Sequence, residues 1–212
     1  SPKSVILCTR LCDAKVIARR LRLKGYHINA VGQTAYLGGD MGGGKRHARA
    51  TRTARAAKHD RMSKKVMQYA RATRRYGLTS RLEQQGAQAA GTYGHQLHGL
   101  FGQQMLQVRR KLANAAAPRL SGRCLTTLLD LRAQQRDPAY KMPVECLRLW
   151  LSCWTSVPHI RSGINQSWRQ LAQELKSMPP ERRHRYIRGP QGTVITYLLD
   201  CLLYTSPSPR DS

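Results

Sequence analysis

Arg46, Arg49, Arg52, Arg55, Lys58, Arg61 and Lys64 recur at every third position, with Lys45 just before the row and Lys65, Arg71, Arg74 and Arg75 following it. The chemistry open to such a set is the neutralisation of phosphate. Only Asp60 opposes the row within this stretch. On an α-helix three residues turn the chain by about 300°, so successive members drift by about 60° and the charge winds round the helix. Arg109, Arg110 and Lys111 form a second rank. The basic residues from Lys45 to Lys65, with this second rank, are the candidate phosphate contacts.

The whole chain carries the same sign. Its 212 residues have a net charge of +26, far beyond what solubility needs. A field of that strength attracts polyanions, and each phosphate it neutralises releases counterions. A single Phe counts against a stacking platform that reads single strands. The expected partner is therefore nucleic acid, held by its backbone. No apolar run is long enough to span a bilayer, and the basic stretch lacks the bulky apolar face of a membrane-surface helix. No signal peptide opens the chain. The location expected is intracellular and nuclear.

Other chemistries fit the residues less well. Gly39, Gly44 and Lys45 satisfy most of a phosphate-binding loop, but Arg46 stands where a Ser or Thr hydroxyl would hold magnesium. A glycine hinge that places the basic helix explains Gly38 to Gly44 better. Cys8, Cys12, Cys124, Cys146 and Cys153 do not form paired zinc knuckles and read as buried or free thiols. His95 and His98 have no third ligand nearby, which points to packing or hydrogen bonding. No catalytic residue, metal or small-molecule substrate is expected in this chain.

The elements that must position the cations follow from periodicity. Met62, Val66, Tyr69, Thr73 and Tyr76 make a core-facing stripe, so the basic helix is rooted in its C-terminal half. Upstream, Ser4 to Cys8 suits a strand and Leu11 to Lys24 a helix whose Leu11, Ala14, Ile17, Ala18 and Leu21 share a face, ended by Gly25. Tyr26 to Val31 and Thr34 to Leu37 read as strands. Downstream, the glycines at 91, 94, 99 and 102 suit no uninterrupted helix. Gln103 to Ala117 and Gly122 to Gln135 read as helices, the latter closed by Asp137-Pro138. Pro143 opens an apolar helix marked by Cys146, Leu149, Trp150, Cys153 and Trp154. Ile164 to Leu175 is another, and Thr193 to Asp200 is a final apolar helix or strand. Glu181 to Arg188 is a short basic cluster, either solvated or a further contact.

The fold class expected is mainly α, with a basic helical region, a C-terminal helical region and a small α/β remnant at the N-terminus. The divisions are 1–40 for the α/β remnant, 41–117 for the basic helical region and 118–200 for the C-terminal helices. Residues 201–212 resemble a translated sequencing adapter and read as an artefactual tail. The natural chain is expected to extend beyond this piece at both ends.

SVILC, a helix, a short strand, TAYLGGD, a glycine spacer and a rising basic helix together resemble the segment after the palm in reverse transcriptases of non-LTR, LINE-like retrotransposons. A motif of the type Tyr36-Leu37-Gly38 closes the palm there, and a helical thumb follows. GAQAAGTYGHQLHGL, GRCLTTLL and IRGPQGTVITYLLD are similar to the downstream region of a divergent group of these proteins in algal protists. The resemblance covers most of Ser4 to Asp200. It implies an RNA-directed DNA polymerase as parent, with magnesium held by carboxylates of an upstream palm of the same polypeptide. The Asp-Asp pair those metals need is missing here, since Asp13, Asp40, Asp60, Asp130, Asp137 and Asp200 are scattered. The resemblance thus implies a non-catalytic piece whose partner is an RNA or RNA/DNA duplex of template and primer, gripped through its phosphates. The alternative is a stand-alone basic RNA-binding or ribosome-associated protein.

Overall fold

The computed structural model describes residues 4–8, 10–31, 33–36, 39–42, 50–119, 121–132, 137–184, 186–187 and 189–204. The fold is mainly α with a small α/β piece at the N-terminus. The chain forms two compact units, Ser1–Ala56 and Ala57–Ser212.

In the first unit β1 (Val5–Ile6) pairs in parallel with β2 (Asn29–Ala30). Parallel strands need a crossover, and α1 (Leu11–Leu23) supplies it. Ala14 and Ala18 of α1 are buried, whereas Leu11 and Ile17, expected on the same face, are exposed. Gly25 follows α1 with φ 86°, the left-handed conformation that closes a helix. β3 (Gln33–Tyr36) pairs antiparallel with β4 (Gly39–Gly42) in the register Tyr36↔Gly39. The glycine hinge expected over Gly38 to Gly44 is thus corrected in its first part. Gly39–Gly42 is a strand, because glycine keeps both ladder groups of the backbone and β3 offers an edge to them. Gly39 therefore lies in a hairpin rather than in a phosphate-wrapping loop; Gly43, Gly44 and Lys45 lie outside the described residues.

The basic helix is α2 (Ala50–Thr73). It was expected to carry through to Tyr76, but Arg74 takes φ 54° and Tyr76 begins a new helix. In the second unit α3 (Tyr76–Leu82), a π turn (Glu83–Gln88) and α4 (Ala89–Thr92) run on from one another. The glycine interruptions fall at Gly94 and Gly99, on either side of α5 (His95–His98). A Cβ at Gly99 would lie 1.8 Å from the Phe101 ring, so glycine is required there.

α6 (Gly102–Ala116) and α7 (Leu125–Arg132) pack Leu112 and Ala113 on Leu129. α8 runs from Pro138 to Ser156, five residues earlier than its expected start at Pro143. Asp137 caps α8, its carboxylate accepting from the Ala139 N–H at 2.9 Å. A second core joins Cys146 of α8 to Val194 and Tyr197 of α11 (Gly189–Tyr204), flanked by Phe101, Trp150 and Trp168. α9 (Arg161–Ser177) brings Trp168 to 5.4 Å from Trp150. Tyr197 ties the loop before α6 to this core, because its hydroxyl accepts from Leu100 N–H at 3.0 Å and donates to Leu100 C=O at 3.2 Å. The short α10 (Pro180–Arg183) turns Arg183 inward, where Nε donates to the carbonyls of Leu175, in the last turn of α9, and of Met178 just beyond it. That arginine of the Glu181 to Arg188 cluster is a helix cap, while Arg182 is exposed.

Candidate nucleic-acid interface

On α2 the burial pattern sorts the side chains by charge. His59, Ser63 and Ala70 are buried, at the i, i+4 and i+11 positions of one line. Met62, Val66 and Met67 flank that line, half-buried. Tyr69 and Thr73, expected in the stripe, are exposed. The buried line is polar at His59 and Ser63, and an apolar periodicity cannot register it. Lys58, Arg61, Lys64 and Lys65 are all exposed on the opposite side of the helix. The step of three winds round a long helix, but Lys58, Arg61 and Lys64 cover only about 120° of it. Over this segment the spiral becomes a face.

The other expected contacts divide. Lys45, Arg46 and Arg49 lie outside the described residues, as does the side chain of Arg52, whose backbone is in α2. Arg55 is half-buried and engaged in an interaction. The second rank on α6 is split by its partners. Arg109 grips Asp137 with Nε at 2.9 Å and Nη2 at 2.6 Å, and its Nη2 also reaches Thr126. A two-pronged pair of this kind spends the cation on the α8 cap. Lys111 pairs with Asp60 and lies 3.4 Å from Nδ1 of His59. The one acid in the basic row is thereby neutralised from α6. Arg110 alone of the three is exposed.

Arg110 shares a groove of about 510 Å³ with Leu106, Asn114, Arg119, Arg123 and Leu125. Arg119 and Arg123 were not singled out in the sequence. They sit in the turn between α6 and α7, where no periodicity marks a side chain, and the only available signal was their shared sign after Pro118.

Beneath α2, Nε2 of His59 and Oγ of Ser63 both lie 2.7 Å from Oε1 of Glu83. A carboxylate only accepts, so His59 carries a proton on Nε2 and Ser63 donates its hydroxyl hydrogen. Ser, His and an acid meet here, but the hydroxyl faces the carboxylate and not the imidazole. No base is aimed at the serine oxygen, so the trio is an anchor and not a nucleophile. A Cβ at Gly91 would lie 2.4 Å from Cβ of His59, which shows how closely α4 approaches α2.

No family model, curated protein or solved structure matches this chain.

Among the described residues no group of three His, Cys, Asp or Glu is placed to hold a metal ion, and no helix is long and apolar enough to cross a membrane. Cys8, Cys12, Cys124, Cys146 and Cys153 are free thiols. Burial pushes the Cys146 thiol up to about 12, which keeps it protonated. His95 is buried, with Nδ1 at 3.0 Å from Thr92 C=O and Nε2 at 3.2 Å from Glu145.

Burial holds the His95 imidazole below its ordinary value of 6.5; Lys141 acts in the same direction, while the Thr92 carbonyl and Glu145 oppose it. The unfolded chain therefore takes up this proton first as the pH falls. The stability that His95 contributes is whole above pH 6.5 and is lost as the pH drops through the lower folded value. Urea midpoints at pH 7.5 and 5.5 are expected to fall further in the wild type than in His95→Gln. Equal falls in the two proteins would remove His95 as the cause.

Proposed function

We propose that this chain grips duplex nucleic acid by its backbone, as the thumb and following region of an RNA-directed DNA polymerase of the non-LTR retrotransposon kind. The observation that carries the grip is the exposed face of Lys58, Arg61, Lys64 and Lys65, set opposite the buried His59, Ser63 and Ala70. Phosphate contacts position a duplex and carry no sequence information, which suits a part that must slide along template and primer. The resemblance of Tyr36-Leu37-Gly38 and the blocks after it supports the polymerase context. Nucleotide addition and its magnesium would then belong to an upstream palm.

The test is binding of a labelled RNA/DNA hybrid, followed by fluorescence anisotropy between about 50 and 300 mM salt. The four phosphates neutralised on α2 alone contribute about −4 to the slope of log affinity against log salt, so the wild-type slope is expected to be at least that steep. Two unrelated duplex sequences are expected to bind alike. A slope shallower than about −1, or a strong preference for one sequence, would overturn the grip.

A further inference from the structure

We infer that the groove of Arg110, Arg119 and Arg123 is a second phosphate site, which receives a backbone phosphate of the duplex held on α2; this rests on the proposed grip. Helix α6 sorts its consecutive cations by partner. Arg109 is neutralised by Asp137 and Lys111 by Asp60, whereas Arg110 makes no ion pair among the described residues. It turns instead into a groove whose other charged members are Arg119 and Arg123, with no carboxylate in the lining. Like charges gathered in one concavity repel, and an anion bound among them relieves that repulsion.

The groove is also ordered in advance. Arg123 donates from Nη1 to Pro118 C=O at 3.0 Å and from Nη2 to Oδ1 of Asn114. Both acceptors are neutral, so they orient the guanidinium without cancelling its charge. Gly122, at φ 73°, makes the turn that returns Arg123 to α6. Nη2 of Arg119 lies 3.9 Å from Sδ of Met67, again a neutral acceptor. That contact sets the groove beside α2, where Lys64 and Arg71 flank Met67 at i−3 and i+4. A backbone following Lys64 and Arg71 is thereby led to Arg119. Leu106 and Leu125 add apolar wall to the groove, against which a sugar can lie. A bare phosphate would use the cations alone.

Arg110 and Arg119 are exposed, and neither holds an ion pair among the described residues, so Arg110→Gln/Arg119→Gln should keep the wild-type melting curve. Its slope for the RNA/DNA hybrid is expected to be shallower by about 2, with affinity near 0.1 M salt weakened by about 10- to 100-fold. Inorganic phosphate and a ribonucleoside monophosphate, titrated separately, should shift the arginine side-chain NMR signals of the wild type only at millimolar levels. Three results would overturn the inference. In the first, the groove variant binds duplex like wild type while changes on α2 weaken it, so the grip stands without the groove. In the second, free phosphate saturates the groove at micromolar levels and the duplex slope is unchanged, so the site serves a free anion. In the third, the wild type binds no duplex, which removes the grip itself and with it the backbone as the phosphate source.

Discussion

Replacing Lys58, Arg61, Lys64 and Lys65 together by Gln is expected to weaken duplex binding about 10³-fold near 0.1 M salt and to flatten the salt slope by about 3 to 4. Each residue is exposed and none pairs with a carboxylate among the described residues, so each is free to displace a counterion. Folding should be indifferent to the change, since surface substitutions away from caps and cores stay within about 0.5 kcal/mol. Net charge alone would also lower affinity, and a control separates the two causes. Arg148, Arg169, Lys176 and Arg182 are likewise exposed, on α8, α9 and α10. Changing them to Gln removes the same charge from other surfaces. The control is expected to cost less than about 10-fold. Equal losses from the two variants would mean that the chain attracts duplex through its overall field and that α2 is not the grip.

The helices were legible where apolar residues repeat with the helical period and a breaker follows. α6 ends before Pro118 and α9 before Pro179, and both lie within two or three residues of their expected spans. Local signals also marked α1 and its closing Gly25. What stayed hidden depended on partners distant in sequence. The inner line of α2 is set by Glu83, which lies 24 residues from His59, and polar residues at 59 and 63 leave no apolar period to find. The division of Arg109, Arg110 and Lys111 is similar. Their types and spacing are alike, and only Asp137 and Asp60, brought in by other helices, decide which cation stays available. Arg74 broke α2 with no glycine to announce it. β4 was masked by its own composition, since GDMG carries none of the β-branched or aromatic residues that signal a strand.

Removing the acid beneath α2 should have the largest effect on stability. Glu83→Ala is expected to cost about 3 to 5 kcal/mol in urea unfolding. His59, Ser63 and Glu83 are each almost wholly buried, and Oε1 of Glu83 accepts from both of the others at 2.7 Å. Truncation strands two donors, each costing about 1 to 3 kcal/mol when no water replaces the acceptor. It also leaves a void that the surroundings fill poorly, because Gly91 already brings α4 against His59. Glu83→Gln keeps an acceptor oxygen for both donors and should cost about 1 kcal/mol. A Glu83→Leu/His59→Leu pair removes the imidazole together with its acceptor and leaves only Ser63 stranded, so its cost should fall below the sum of the single changes. Additive costs, or a Glu83→Ala loss under about 1 kcal/mol, would show that the trio does not anchor the helix. The outer cations keep their places in Glu83→Gln, so its salt slope for duplex should match that of the wild type. Anchoring and grip would then be separate properties of two sides of one helix: Glu83 holds the inner side, and Lys58, Arg61, Lys64 and Lys65 meet the phosphates.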